Sequence, residues 1–500
     1  MKKKLFFTVF IIMLIAGLAA CGKNETKNTV FSKDDLSGKK IGVQLGTTGD
    51  TYCSDMEKDK DGTKVERYNK GSDAIQSLKN GTIDAVVIDE QPAKAFVEAN
   101  SDLMILDEEF TVEDYAICIS KDNKELTEKI NAAIDELNSE GVIDKIKKNY
   151  IGDDTGKYPY ETPEGTTYDN GTLIMATNAF FKPYEYYENG QVVGIDADLG
   201  QAIADKLGMK FEIKDMEFDS IITAVQSGKA NIGISGMTVT EDRLKNIDFS
   251  TPYTTSKQVI VVRDNNAIKE NTNLADKFKN DFIKDNRYQY ILKGLANSII
   301  IVFFAAIIGL VLGFFSAVVR SWHDKNGGLT ILNAIVRVYI TVIRGTPAMI
   351  QLLIIYYIVF ASVDVSKMVV AIVAFGINSG AYVSEIFRSG IMAIDNGQFE
   401  ASRSLGMDFF QTMIFVVLPQ VFKNVLPTLA NEFIVLLKET SICGYIGLND
   451  VTRGGDIIRS ITYDAYLPLI LVALIYLTIV LVLTHLVNKL ERRLRKNERK

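Results

Sequence analysis

The sequence predicts an α/β fold for the first half of the chain and an all-α transmembrane domain of about five helices for the second. Three observations carry that reading. Short β-branched runs alternate with segments of helical spacing between residues 36 and 263. From Ile291 onward come apolar runs long enough to cross a bilayer. Residues 1–21 have the basic start and apolar middle of a targeting segment. At 500 residues the chain is too long for one hydrophobic core, so several domains are expected.

The elements follow in order. Lys2, Lys3 and Lys4 precede an apolar stretch from Leu5 to Gly17, and Leu18-Ala19-Ala20-Cys21 looks like a bacterial lipobox. Residues 1–21 then read as a lipoprotein signal peptide, Cys21 as the lipidated residue and 22–35 as a polar tether. Residues 36–152 hold strands at 39–43, 85–88 (ending in Asp89) and 115–119, with helices around 74–78 and 126–149. Gly, Pro and Thr mark 153–171 as a linker. Residues 172–263 repeat the alternation, with strands at 173–176, 211–213, 232–235 and 258–262 and a helix at 196–207. A charged spacer, 264–290, leads to the membrane.

Within 291–488 the spans lie near 291–319, 346–361, 367–387, 410–437 and 466–487, and 329–343 is a helix leading into the second. Arg320, Arg344, Arg388, Arg403 and the basic tail 489–500 then share one side. That asymmetry places the C-terminus in the cytoplasm and the α/β part outside. Pro347, Pro419, Pro427 and Pro468 fall in or beside the spans and predict interrupted helices.

Composition excludes several classes. A formal net charge of −7 argues against nucleic acid as a partner. Cys21, Cys53, Cys118 and Cys443 have no CxxC spacing, and the only histidines are His323 and His485, so no metal site and no cofactor are expected. A Cys53–Cys118 disulfide is left open by the sequence. No nucleophile–base pair emerges, and no GxxxxGK[ST] phosphate loop occurs, so ATP hydrolysis must come from another chain.

Ordered words carry a resemblance. Ala176-Thr177-Asn178, Phe181-x-Pro183-Tyr184-Glu185, Gly194-Ile195-Asp196, Phe218-Asp219-Ser220, Gly236-Met237-Thr238-x-Thr240-x-x-Arg243 and Asp248-Phe249-Ser250 resemble the first half of a periplasmic-type (type II) polar amino acid binding protein, of the glutamine kind. Leu36 to Gln44, Gly46-Thr47-Thr48-Gly49 and Asp84 to Asp89 resemble its second half. The halves stand in reverse order, so 36–152 reads as the small lobe plus the returning part of the large lobe, and 172–263 as the large-lobe half. The two make one complete, circularly permuted, two-lobed domain. The cut is expected at a hinge crossing, leaving a single covalent crossing near Glu109–Ser120. Two half-domains pairing between chains, or one half left from an incomplete tandem, are the rival arrangements.

The resemblance implies a ligand set that chemistry also supports. Arg243 offers a fork for an α-carboxylate, with donors from Gly236, Thr238 and Thr48. Asp89 suits the α-ammonium. Phe181 and Phe218 sandwich the ligand's stem. Asn178 reads the side chain and favours a neutral polar or acidic one, and Gln44 and Ile88 stand at further pocket positions.

In the second half, Arg344-Gly345-Thr346-Pro347, Ala381-Tyr382-x-x-Glu385-x-x-Arg388, Lys438-Glu439-Thr440-Ser441 and Glu400-Ala401-Ser402-Arg403-Ser404-Leu405-Gly406 resemble ABC importer permeases of the polar amino acid kind. The last word resembles the loop that docks on the ATPase subunit, which implies that role for Glu400, Ala401, Arg403 and Gly406. One copy supplies one permease half, so a homodimer is expected. An amino-acid-gated channel or a chemosensory receptor could use the same binding fold. The sequence has neither a channel filter nor a cytoplasmic signalling segment.

Overall fold

Two five-stranded sheets organise the first half. Before the linker come β1 (Lys40–Gln44), β2 (Lys64–Tyr68), β3 (Ala85–Asp89), β4 (Leu103–Tyr115) and β5 (Cys118–Ile119). After it come β6 (Thr172–Thr177), β7 (Phe180–Phe181), β8 (Glu185–Glu188), β9 (Gln191–Val193), β10 (Lys210–Asp215), β11 (Ile232–Gly233), β12 (Asp248–Phe249) and β13 (Thr254–Arg263). The small lobe has strand order β2-β1-β3-β13-β4 and the large lobe β10-β6-β11-β5-β12, with β7 to β9 as a separate meander. This computed structural model describes residues 27–496 apart from 59–60, 268–272, 362, 364 and 465. The expected signal peptide and Cys21 lie outside the described residues.

The small lobe is built around β3. All five of its residues are buried, which suits its unbroken apolar run to a central parallel position. β1 pairs with it in parallel, and β13 pairs with it antiparallel through Val259–Ile88 and Ile260–Val87. β4 closes the sheet on the far side of β13. Its charged residues (Asp107, Glu108, Glu109, Glu113, Asp114) hide its apolar phase from a reading by pattern.

The chain crosses between lobes twice, not once. One crossing runs from β4 to β5 and the other from β12 to β13. They lie side by side, with Ser250 N–H donating to Ile117 O at 2.9 Å and Tyr253 N–H to Tyr115 O at 3.0 Å. The expectation of a single crossing near Glu109–Ser120 fails because 254–263 is not part of the large lobe; it threads the small-lobe sheet. The two ends of the α/β part do not lie at a hinge either. Asn28 and Asn265 sit together on the small lobe, joined by hydrogen bonds of 2.7 and 3.2 Å, so the tether and the membrane spacer leave from neighbouring points.

Other expectations are refined. The helix expected at 126–149 is two helices, Lys124–Ser139 and Val142–Tyr150, broken at Gly141 with φ +70°. Cys53 and Cys118 are free and buried, in different lobes, so the disulfide left open by the sequence is not formed.

Four helices of the second half are long and apolar enough to cross a membrane: Tyr288–Asp324, Lys367–Met392, Phe409–Ile446 and Tyr466–Arg493. A fifth span arises if Thr330–Gly345 and Ala348–Val359, bent by 112°, count as one. Pro347 sits at that bend, where its ring and missing N–H prevent a continuous helix. The first and third-in-order partners, Tyr288–Asn326 and Lys367–Met392, pack through small residues. A Cβ at Gly313 would meet Val383 at 2.6 Å, and one at Gly376 would meet Ile308 at 2.7 Å.

Since β13 fills the middle of the small-lobe sheet with a fully buried Ile260, Ile260→Ala is expected to destabilise that lobe by about 2–5 kcal/mol. Denaturant titration of the full chain, followed by protection of small-lobe amides, checks this; wild-type protection would contradict the strand order.

Candidate ligand-binding site

All nine expected ligand residues line one cavity between the lobes. Gln44, Thr48 and Asp89 come from the small lobe, at the ends of β1 and β3 or in the turn after β1. Asn178, Phe181, Phe218, Gly236, Thr238 and Arg243 come from the large lobe, after β6, β10 and β11. Strand ends gather there because both sheets point their carboxyl edges at the cleft. The cavity volume is about 10 Å³, roughly one water's room, so the lobes are closed and anything larger than a water can enter only when they part. Ile88 does not line it and packs instead in the small-lobe core.

Arg243 is held by the cup but has no carboxylate partner among the described residues. Its guanidinium donates to Thr238 O at 2.7 Å and, across the cleft, to Gly46 O at 2.8 Å. Phe218 lies under it at 5.6 Å, a cation–π contact rather than a free stacking face. Burial alone lowers its pKa, the direction that an unneutralised cation takes. Gly236 has φ +50°, and a Cβ there would meet Phe181 at 2.9 Å and Tyr115 at 3.0 Å, so glycine is required for the turn.

Three of the expected donors are already engaged. Gly236 N–H donates to Asp196 at 2.8 Å. The hydroxyls of Thr48 and Thr238 both donate to Glu113 Oε2, at 2.6 and 2.7 Å. Asn178 donates its amide to Met216 O at 2.7 Å. Glu113 is the residue that pattern reading missed. It stands on β4 two places before the hinge residue Tyr115, buried, with Oε1 lacking any hydrogen-bond partner. Its only sequence signal is its phase: it shares the buried face with Tyr115 in an alternating strand.

Asp89 accepts from the Tyr115 hydroxyl. Burial first, and the charge of Glu113 second, push its carboxyl up from 3.8 to about 7. Burial likewise raises Glu185 and Asp196 behind the cup. The cleft thus sets one arginine among several buried carboxyls, a field that favours a ligand bringing its own cation.

At the other end, Asn396–Ser404 is a helix capped by Asp395, which accepts from Gly397 N–H at 2.6 Å. Gly406 turns the chain at φ +82°, and Asp408 and Gln411 form a capping box for the next short helix. Glu400, Ala401, Arg403 and Gly406 are all exposed, whereas Ser402 turns inward and donates to Gln398 O at 2.7 Å. Leu405, 79 % exposed, joins them as an apolar knob that the sequence reading passed over.

A two-lobed cleft joined to a bundle of membrane helices defines a class: a solute-binding domain carried by a membrane transport component. Residues 173–349 match the bacterial extracellular solute-binding proteins of family 3, and 309–496 match the binding-protein-dependent transport system inner membrane component. The arginine transport system permease protein of Bacillus subtilis is 41% identical over 42% of this chain and 94% of its own length. The glutamine transport system permease protein of Escherichia coli is 36% identical over 37% and 84%. A solved chain of an amino acid ABC transporter with histidines is 37% identical over 45% of this chain and 100% of its own, with a TM-score of 0.40. The chain belongs to the inner membrane component family of binding-protein-dependent transport systems, with a solute-binding domain fused to it. It is an integral membrane protein of amino acid import, and its ATPase partner is a separate chain.

Asp89 also sets a pH dependence. A carboxyl whose folded pKa lies above its unfolded value adds stability below pH 3.8, and loses it as pH rises to about 7. Melting of the full chain from pH 4 to 8 should therefore show a decline that Asp89→Asn makes shallower, with Glu185 and Asp196 carrying the remainder; an identical profile in the variant would refute the assignment.

Proposed function

We propose that this chain is a lipoprotein-anchored receptor and permease half in one, which captures a polar amino acid outside the cell and imports it with a separate ATPase. The observation that carries this is a half-buried Arg243 without a carboxylate ion-pair partner among the described residues, lining the same cleft as Asp89 of the other lobe. A zwitterion fits such a pair: its carboxylate takes the arginine fork and its ammonium takes Asp89. Phe181 and Phe218 wall the space between. The Asn178 amide favours a glutamine-, glutamate- or asparagine-like side chain. The extra buried carboxylate of Glu113 favours a second reading, a cationic side chain such as arginine's, and competition between L-glutamine and L-arginine separates the two.

We also infer that the binding domain is circularly permuted, cut in the small lobe where Asn28 meets Asn265, with 153–171 joining the former ends on the large lobe. Exposed loops tolerate such cuts. Two copies form the permease, the lobes face outward, and Glu400, Ala401, Arg403, Gly406 and Leu405 form the surface that the ATPase grips. Fusion keeps the receptor at about millimolar effective concentration above its own gate.

Calorimetry on the full chain with L-glutamine and L-arginine tests the pocket. Arg243→Lys replaces a fork with a point charge and is expected to weaken binding by about tenfold or more; unchanged affinity would remove Arg243 from the site. Gly406→Val strains a left-handed turn and should leave amino acid affinity intact while abolishing ATP-driven uptake in proteoliposomes. Normal uptake would place the coupling surface elsewhere.

A further inference from the structure

One helix of the membrane domain, Val451–Thr462, lies against both lobes at once. Its Arg453 is buried, pairs with Asp215 of the large lobe and reaches Glu217 at 3.3 Å. One turn further, Asp456 pairs with Lys70 of the small lobe at 2.5 Å. A second turn on, Arg459 pairs with Asp73 of the same lobe. Phe180 carries both cations on its ring, Lys70 at 4.8 Å and Arg453 at 5.2 Å.

The partners adjoin the ligand cavity. Glu217 immediately precedes Phe218. Asp215 accepts from Ala179 N–H at 3.0 Å, next to Asn178. Lys70 immediately precedes the helix that begins at Gly71, where a Cβ would meet Ile88 at 2.8 Å and Gln44 at 3.7 Å. The other side of the helix is seated on the membrane spans. A Cβ at Gly454 would meet Tyr290 O at 2.7 Å, and one at Gly455 would meet Val472 at 2.5 Å. Tyr290 belongs to the first span and Val472 to the last.

We propose that the Val451–Thr462 helix is a closure sensor, a docking site that holds the small lobe and the large lobe together and so engages fully only when they are shut. Arg453 and Asp456 are three residues apart, about 4.5 Å along a rigid helix. Their partners, Asp215 and Lys70, belong to bodies that a hinge rotation moves apart. Opening the cleft therefore breaks at least one pair and strands a buried charge, which is unfavourable. By linkage, whatever closes the lobes strengthens docking, and docking strengthens closure by the same factor. A shift of the helix is passed to the first and last spans through its glycine face. A single copy of the chain contains all of this.

Lobe separation in the full chain tests the sensor without reference to any ligand. Spin labels at Lys64→Cys and Lys210→Cys, both exposed and on the edge strands of the two sheets, report it in lipid nanodiscs by pulsed dipolar distances. Lys70→Gln and Arg453→Gln are each expected to shift the closed-to-open ratio about tenfold toward open, and the double variant no further than the stronger single one. Unchanged distances in Lys70→Gln, or losses that multiply in the double variant, would overturn the proposal. Lys70→Gln decides alone if Arg453→Gln fails to fold. A second arm rests on the proposed ligand reading: affinity for L-arginine or L-glutamine should fall about tenfold in the same variants. If the unaltered chain binds neither, that reading of the cavity fails, and the distances still decide the sensor.

Discussion

The pairing of the two crossing strands is the constraint on which the rest of this molecule depends. Tyr115 to Cys118 and Phe249 to Thr254 run antiparallel and share main-chain hydrogen bonds, so the lobes are joined by a narrow two-strand ribbon. A ribbon bends more easily than either five-stranded sheet. The strand ends on either side of it meet in one place, the cleft between the lobes. Glu113, Tyr115 and Gln258 lie on the ribbon's small-lobe continuations and hydrogen-bond the cavity-lining Thr48, Thr238 and Asp89, so the hinge backs the site's wall.

The chemistry of that wall follows from burial. Closing the lobes strips water from Asp89, Glu113 and Arg243 together, and no charge in the cleft is matched one to one. Arg243 leans on carbonyl oxygens and a ring; Asp89 leans on a phenol; Glu113 holds two threonine hydroxyls from opposite lobes. Each of these is a substitute for a stronger partner. The same logic, with the partners present, operates at the outer face, where Arg453, Asp456 and Arg459 each find an opposite charge on a lobe. One face of the domain is completed by the membrane part and the other by what enters the cleft.

Much of this was legible residue by residue. Apolar runs of fixed length announced the spans, and turn words such as Gly236-Met237-Thr238 placed the loops that carry the ligand set, because local steric demands act on neighbours in the chain. Glu113 was not legible, since an acid in a charged strand looks solvated until the opposing lobe covers it. The two helices within 124–150 merged in the reading because their apolar spacing continues across Gly141. Leu405 looked like one more apolar residue, and only its exposure marks it.

The sequence by itself determined the fold class, the order of the parts and the residue types at the cleft, because these rest on periodicity and on side-chain chemistry. Only the tertiary structure decided that 254–263 returns to the small lobe, that Thr48 and Thr238 meet on one carboxylate, and that Val451–Thr462 touches both lobes. Each joins residues far apart in the chain, and such pairings are set by sheet register and by burial against a partner. Neither leaves a mark on the local pattern of either segment.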